Sequence, residues 1–345
     1  ATQPASNRTW IGIIAAVLIV TAWLLVSPQV RHALFKPRVE AVAQRDLKYI
    51  AVLPLKVTGD EKQFGYLADG VTEALTAKLS QVKGLSVTSS TAVEKLGSFD
   101  SVIEAGKTLG ANYVFSGSLQ GSGSNLRVLI SMTDVNRGTE VMPPKEFSGV
   151  AGDLLTLEDN LYSEATKALQ VSLTADEMAK AGSHPTERID AYQAYLHGRN
   201  ALHGKPGADA VQGAIADFES ALKADPMFAL AYTGIADAAL RMYRDSKDAT
   251  WAQKAVSAAE HANQLASDLP EVNFSLGSVY VATGKTNEAV AVLKNAVQLA
   301  PNSDEGYRRL GDALQANNTP QDAISAYGKA IQIIGTTTSS AATRT

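Results

Sequence analysis

Residues 276–301, which read LGSVYVATGKTNEAVAVLKNAVQLAP, decide the fold because the chain repeats their pattern immediately afterwards. Four positions of this stretch recur at an offset of 34 residues: Ala289, Leu293, Ala296 and Pro301 become Ala323, Tyr327, Ala330 and a turn at Gly335. Small side chains stand where two helices approach closely, and large ones fill the groove beside them. This period predicts helix pairs that stack on one another.

The repeat extends towards the N-terminus, and residues 188–335 resemble about four tetratricopeptide repeats. The third and fourth units carry the signature most clearly, and the first is degenerate. The residues of the resemblance are Tyr192, Tyr195, Leu196, Ala214, Phe218, Ala221, Pro226, Tyr232, Ile235, Ala236, Ala239, Ala255, Ala259, Ala262, Leu276, Gly277, Tyr280, Gly284, Tyr307, Leu310 and Gly311. One repeat cannot bury its own apolar face, so the resemblance implies an all-α solenoid.

The first helix of each pair is expected to line a concave surface that binds protein or peptide partners. Candidate residues are those that point away from the packing positions. They are Thr233, Asp237, Arg241, Ser275, Ser278, Arg308, Asp312 and Gln315. The same polar residues also fit an ordinary solvated face. His197 and His203 are spaced six apart with no third ligand in view, so we predict no metal site.

Residues 47–171 alternate short apolar runs with helical patterns and predict an α/β domain. Strands are expected at 49–54, 85–90, 112–119, 126–132 and 140–148, and helices at 66–82, 101–109 and 152–170. This order predicts a mixed sheet covered by helices. Gly121 and Gly123 lead into a strand and have no lysine partner, so they indicate a hairpin turn rather than a phosphate-binding loop.

Several segments of this domain resemble the TolB amino-terminal-like domain of bacterial signalling proteins. They are Ile50-Ala-Val-Leu-Pro54, Leu67-Ala-Asp-Gly-Val-Thr-Glu-Ala-Leu75, Leu109-Gly-Ala-Asn-Tyr-Val-Phe-Ser-Gly-Ser118 and the strand from Leu126 to Val135. The resemblance implies an α/β fold in an extracytoplasmic or regulatory region. It implies no catalytic residue.

Residues 10–26 form an uncharged apolar block with Trp10 and Trp23 near its ends. A helix of this length is near the lower limit for a membrane span, and Pro28 ends it. A cleaved signal peptide is the alternative, but no small-residue cleavage site follows. Basic residues after the block place the C-terminal part in the cytoplasm by the positive-inside rule, although charges ahead of Ala1 would alter that count.

The amino-acid composition argues against several classes of function. The 345 residues have a net charge of −4 without clustered basic residues, which argues against a nucleic-acid surface. Because the chain has no cysteine, thiolate catalysis and cysteine-bound zinc are excluded. No nucleophile–base pair, metal cluster or cofactor motif is evident, so we predict no enzyme activity and no cofactor for this chain.

The order of anchor, α/β domain and repeats, with Ala191-Tyr-Gln-Ala-Tyr-Leu-His-Gly-Arg199 and Ala229-Leu-Ala-Tyr-Thr-Gly234, resembles the C-terminal part of bacterial receptor-type serine/threonine protein kinases. Related layouts carry a winged-helix regulator or a nucleotide cyclase. The resemblance implies a single-pass protein of the bacterial inner membrane with extracytoplasmic domains, which signals by shifting a conformational or homodimer equilibrium. Kinase catalytic motifs are missing from this sequence. A stand-alone tethered scaffold for envelope complexes is the alternative.

These interpretations divide the chain into seven segments. They are an N-terminal flank at 1–9, a transmembrane helix at 10–26, a juxtamembrane linker at 27–46, the α/β domain at 47–171, a polar linker at 172–187, the repeats at 188–335 and a disordered tail at 336–345.

Overall fold

The computed structural model describes residues 47–203 and 206–342, and its described residues from Lys48 onward form one compact unit. Within those two ranges, no helix is both long and apolar enough to cross a membrane. The predicted flank at 1–9, transmembrane helix at 10–26 and juxtamembrane linker at 27–46 lie outside the described residues.

The first part of the described chain is an α/β domain. Its strands are β1 (Lys48–Val52), β2 (Lys56–Thr58), β3 (Leu85–Val87), β4 (Tyr113–Ser122), β5 (Asn125–Asp134) and β6 (Thr139–Val150). Its helices are α1 (Glu61–Ser80), α2 (Ser90–Leu96), α3 (Val102–Leu109) and α4 (Leu154–Ala168), the last preceded by a short 3-10 turn (Ala151–Asp153). The predicted mixed sheet with helices is confirmed.

The sheet has the strand order β3-β1-β4-β5-β6, and β2 also pairs with β4. β1 runs parallel to β3 and β4, whereas β4, β5 and β6 are antiparallel neighbours. β4 and β5 meet at the predicted glycine turn, where Ser122 pairs with Asn125 and Gly123 has a φ of +61°. This left-handed conformation suits glycine, and the segment forms a hairpin turn.

Two elements of this domain were not expected from the sequence. β2 has a single apolar residue between two exposed ones, so it lacks the alternation that predicts a strand. The strand expected at 85–90 ends at Val87, because the Ser89 side chain accepts a hydrogen bond from the Ala92 amide and begins α2. The additional helix α2 covers the parallel end of the sheet.

Helices cover both faces of the parallel end. α1 and α4 bury Phe115, Leu119 and Val128 on one face, in the main core cluster. α2 and α3 cover the other face, where Val114 and Ala51 belong to a smaller cluster. The antiparallel hairpin extends beyond α3 with its second face open, so its strands alternate buried and exposed residues.

The repeats form four consecutive helix pairs in the described part of the chain. The pairs are α6 (Ile189–Ala201) with α7 (Ala208–Ala224), α8 (Ala229–Ser246) with α9 (Ala249–Leu265), α10 (Pro270–Ala282) with α11 (Thr286–Leu299), and α12 (Asp304–Ala316) with α13 (Pro320–Ala342). A Cβ on Gly277 would lie 2.4 Å from the Leu293 side chain, and one on Gly311 would lie 2.4 Å from Tyr327. The third and fourth pairs are therefore each closed by one large side chain against a glycine.

The segment predicted as a polar linker, 172–187, contains helix α5 (Ala175–Ala181). Thr174 and Glu177 form a capping box, and Glu177 Oε1 also accepts a hydrogen bond of 2.7 Å from the Lys83 amide. Thr174-x-x-Glu177 is the sequence signature of such a cap, and it predicts a helix start where the polar composition suggested a connector. The cap fixes the segment against the α/β domain.

The α/β domain and the repeats share one hydrophobic core rather than being joined by a free connector. The main cluster runs continuously from Ile50 in β1 to Val279 in α10. Between α4 and α6, the Tyr192 hydroxyl donates a hydrogen bond of 3.0 Å to Oε1 of the buried Glu158. Burial, the largest effect, raises the pKa of Glu158 to about 8 despite this hydrogen bond and the nearby Lys78.

The last helix, α13, continues to Ala342, so most of the segment predicted as a disordered tail at 336–345 is helical. The tail has no apolar period, and its composition therefore predicted disorder. The first turns of α13 are held by buried Ala323, Ala326 and Ala330. Once those turns have formed, each added residue gains a hydrogen bond without a new nucleation cost.

Ala289→Trp is expected to destabilise the repeats. Ala289 is fully buried between the last two pairs, so the larger side chain overpacks the core and costs about 1–3 kcal/mol or more. Urea unfolding followed by circular dichroism measures the change. Asn287→Trp, at a neighbouring exposed position of the same helix, is the control. An unfolding midpoint unchanged by Ala289→Trp would refute the stacked packing.

Glu158→Gln is expected to flatten the dependence of stability on pH. Between about pH 4.3, the unfolded value, and about 8, folded Glu158 holds a proton that the unfolded chain releases. The free energy of unfolding therefore falls as pH rises through this window, by up to about 1.4 kcal/mol per unit. Denaturation at several pH values from 5 to 8 measures the slope, with the exposed Glu94→Gln as control. Equal slopes in the wild type and Glu158→Gln would contradict the assignment.

Candidate partner-binding face

The first helices of the four pairs, α6, α8, α10 and α12, carry a common side that we call the inner face. It is formed by the eight candidate residues named above together with further polar residues of the same helices, which are His197, Arg199, Asn200, Glu305 and Arg309. The structure distributes the eight candidate residues over three of these helices: Thr233, Asp237 and Arg241 on α8, Ser275 and Ser278 on α10, and Arg308, Asp312 and Gln315 on α12.

The candidates on α8 mostly make contacts within the protein. Thr233 is buried, and its hydroxyl donates to the Ala229 carbonyl at 3.2 Å. The Arg241 guanidinium donates to the Leu202 carbonyl at 2.9 Å, which ties α8 to the end of α6. These two residues therefore serve the packing of the array.

Asp237, Ser275 and Ser278 connect neighbouring repeats. The Ser275 hydroxyl is buried and donates to Asp237 Oδ1 at 2.6 Å. Ser278 Oγ accepts a hydrogen bond of 2.5 Å from Arg309, a residue that sequence reasoning missed. The same guanidinium also donates to the Phe274 carbonyl at 3.3 Å and to Glu305 at 2.6 Å. The middle of the inner face is thus a polar network whose members bond to one another.

Glu305 shows the electrostatic character of this network. Burial raises its pKa, but the charge and hydrogen bonds of Arg309, together with Arg308 and Arg199, prevail and lower the pKa of Glu305 below its ordinary value. Glu305 therefore stays ionised and neutralises Arg309. A partner that enters here must replace the bonds of this pair.

Arg308, Asp312 and Gln315 remain accessible at the fourth repeat. Arg308 and Asp312 form an ion pair of 3.5 Å along α12, and their side chains are 50% and 49% exposed. The Tyr327 hydroxyl donates to Asp312 Oδ1 at 2.7 Å and to Gln315 Oε1 at 3.2 Å. We call these four residues the α12 cluster. It presents a cation, an anion and an amide side by side.

At the first repeat, the inner face contacts the protein's own α/β domain. The Tyr66 ring on α1 stacks on His197 with centroids 3.7 Å apart, and Asn200 donates to Asp69 at 2.7 Å. A Cβ on Gly70 would lie 2.5 Å from the Leu196 side chain, so α1 and α6 approach closely there. His203 lies 3.7 Å from Asp69, and no cluster of metal-binding side chains occurs among the described residues.

Arg199 is the charged centre of this contact. It pairs with Glu73 on α1 at 2.6 Å, and the Glu73 carboxylate, followed by Tyr195, raises the pKa of the guanidinium. Its Nε atom is buried and has no hydrogen-bond partner within the described ranges. Arg199 follows Gly198 just as Ser278 follows Gly277 and Asp312 follows Gly311. Aligning these glycines would have assigned Arg199 to the inner face from sequence.

The α/β domain also reaches the fourth repeat. The Asn302 side chain, before α12, donates to the Leu85 carbonyl at 3.2 Å, and the Ser89 hydroxyl lies 3.4 Å from Asp304 Oδ2. One domain therefore contacts both the first and the last helix pair. Of the eight candidates, the structure leaves the three on α12 as an exposed group.

Known proteins resemble parts of this chain. The TPR repeat family matches residues 277–318. Over 155 residues, 44% of this chain, the sequence is 30% identical to a protein named putative adenylate cyclase 3 from Rhizobium meliloti (strain 1021). The chain spans about a quarter of that relative's length, since the match covers 26% of it.

Solved structures with related repeats align over about half of the chain. A thermophilic TPR protein of Thermus thermophilus is 18% identical, with 55% of this chain and 91% of that chain covered and a TM-score of 0.38. MamA from Desulfovibrio magneticus RS-1 is 15% identical, with coverage of 55% and 97% and a TM-score of 0.35. YrrB, described as a TPR protein with an unusual peptide-binding site, is 18% identical, with coverage of 52% and 84% and a TM-score of 0.34. The matched family and the helix pairs together establish that the chain contains tetratricopeptide repeats.

Proposed function

We propose that the described chain is a non-catalytic protein-binding module, and that the α12 cluster takes part in holding its partner. The observation that carries this proposal is the accessibility of Arg308 and Asp312 beside a domain that covers other parts of the same face. An extended peptide that carries both charge signs, or polar side chains, complements such a cluster. Tetratricopeptide repeats suit this role because their stacked helices form an extended surface.

We further propose that this module belongs to a bacterial transmembrane signalling protein. The proposal is supported by the apolar block at 10–26, the resemblance of 47–171 to TolB amino-terminal-like domains and the 30% identity to a protein named as a cyclase. In this arrangement the block at 10–26 is a single span of the inner membrane, and the module lies outside the cytoplasm. Its partner then changes the state of an effector on the other side.

Two effectors are compatible with this arrangement. The phrases at 191–199 and 229–234 resemble receptor-type serine/threonine protein kinases, whereas the named relative is a putative adenylate cyclase. Reading the coding sequence in frame ahead of Ala1 distinguishes them. A kinase catalytic loop would support the first and a cyclase domain the second. A start codon within a few residues would instead support a stand-alone tethered scaffold.

Exchanging the charges of the α12 cluster, Arg308→Asp with Asp312→Arg, is expected to weaken partner binding without unfolding the repeats. The exchange keeps the opposite charges four residues apart, so helix α12 keeps its ion pair while the pattern shown to a partner is inverted. We expect peptides selected on the wild-type chain from a random peptide array to bind at least about tenfold more weakly, or about 1.4 kcal/mol. Fluorescence anisotropy measures the affinity.

The matched control exchanges an exposed ion pair of the sheet, Arg127→Glu with Glu146→Arg, which lies outside the repeats. Peptides that depend on the α12 cluster should bind this control as they bind the wild type. Equal binding to all three proteins, or equal losses in both exchanges, would place the binding site away from the α12 cluster. Thermal unfolding of each protein verifies that the repeats remain folded.

A further inference from the structure

The outer side of the last helix, α13, exposes an apolar strip that includes Ile324 and Ile331. These side chains are 69% and 67% exposed, and they stand seven residues apart, which places them on one side of the helix. Gly328 lies between them, and no atom lies within 4 Å of the position that a Cβ would occupy there. We call Ile324, Gly328 and Ile331 the end strip.

The repeat period indicates which kind of surface would pack on the end strip. At the offset of 34 residues, Ile324 corresponds to Val290 and Ile331 to Val297. Both valines are only 8% exposed, because they pack in one cluster with Leu310 and Leu314 of the next helix, α12. The end strip therefore occupies the position of a stacking surface, and its complement is an apolar helix.

The other end of the array is already covered. Helices α1 and α4 of the α/β domain pack on the first helix, α6, through Gly70 against Leu196 and through Glu158 against Tyr192. A second copy therefore cannot stack its first repeat on the end strip to continue the solenoid. Two copies can satisfy both strips by placing one against the other, which closes the assembly as a two-fold dimer.

The end strip is suited to pairing with itself. None of its three residues is charged, so juxtaposing two strips brings no like charges together. Gly328 sits near the midpoint between the isoleucines, where the absence of a side chain lets two helix backbones approach. Glycine inside a helix lowers helix stability relative to alanine, and a close approach of this kind compensates for it.

We infer that two copies of this chain associate through antiparallel pairing of their end strips. Ile324 of one copy then packs against Ile331 of the other, and the two Gly328 residues face each other. The antiparallel direction continues the established interface, because the short connection between α11 and α12 makes those consecutive helices antiparallel. This dimer uses a different surface from the α12 cluster and goes beyond the proposed function.

The contact is small, so we expect a weak dimer in dilute solution. Stable interfaces bury about 1,200–2,000 Å² in total, which a strip formed by two isoleucines and a glycine does not reach. Given the membrane anchoring proposed above, on which this step rests, confinement on a membrane raises the effective concentration of the two copies and strengthens such a contact. The association is therefore suited to reversible regulation.

Disulfide trapping tests the pairing directly, because the wild-type chain contains no cysteine. Full-length chains with Ile324→Cys and with Ile331→Cys are mixed in mild detergent and oxidised. We expect the mixed disulfide to exceed either homodimer by at least about fivefold, since antiparallel pairing brings these two positions together. The control mixes Ser325→Cys with Gln332→Cys, which has the same seven-residue spacing on a neighbouring side of α13, and should react slowly.

Sedimentation velocity gives an independent test with Ile324→Glu combined with Ile331→Glu. Burying these charges should raise the dimer dissociation constant at least about tenfold, whereas Ser325→Glu with Gln332→Glu should leave it unchanged. Equal trapping in both cysteine mixtures, or a dimer insensitive to the Ile324 and Ile331 changes, would overturn the proposal. A chain that stays monomeric at every concentration without trapping would also overturn it. Circular dichroism verifies that each variant is folded.

Discussion

A helix pair in this protein cannot bury both of its apolar sides alone, and this constraint organises the whole described chain. Each pair closes internally by a large side chain against a small residue, as Leu293 does against Gly277. Its remaining apolar side then needs a neighbour. Inside the array the neighbour is the next pair, whereas each of the two end pairs of the described chain has a repeat on one side only.

The α/β domain supplies the neighbour at the first end. Its helix α1 places glycine at the crossing with α6, so Leu196 fits against the backbone at Gly70. Polar contacts at Asp69 and Glu73 then fix the angle between the helices. Because the core continues across this crossing, the mixed sheet and the repeats form one compact unit. A domain boundary drawn from composition therefore does not mark a mechanical hinge.

Much of this fold follows from local pattern. The 34-residue period predicts the helix pairs, and the alternation of apolar runs predicts the sheet, because burial on one face leaves a regular trace in the sequence. What the sequence did not reveal depends on contacts between distant residues. Nothing in the local sequence distinguishes Glu73 and Arg199 from other charged residues. They form an ion pair because the fold brings α1 and α6 together. Likewise, the sequence pattern places Ser275 on a polar surface, yet the Asp237 carboxylate on another helix accepts a hydrogen bond from its hydroxyl and allows its burial.

The two ends of the array therefore differ. The α/β domain covers the first end, whereas the outer side of the last helix is exposed. At the first end, burial raises the pKa of Glu158 beside Tyr192, so the contact there responds to pH. At the last end, Ile324 and Ile331 lie open although their counterparts Val290 and Val297 are buried. In a solenoid each pair packs mainly on its neighbours, and here the fourth pair also contacts the α/β domain through Asn302 and Asp304. A partner held at the α12 cluster thus lies on the pair that also carries the open end. Tyr327 of α13, which packs against Gly311 and whose hydroxyl donates to Asp312, joins the proposed partner site to the helix that carries the end strip.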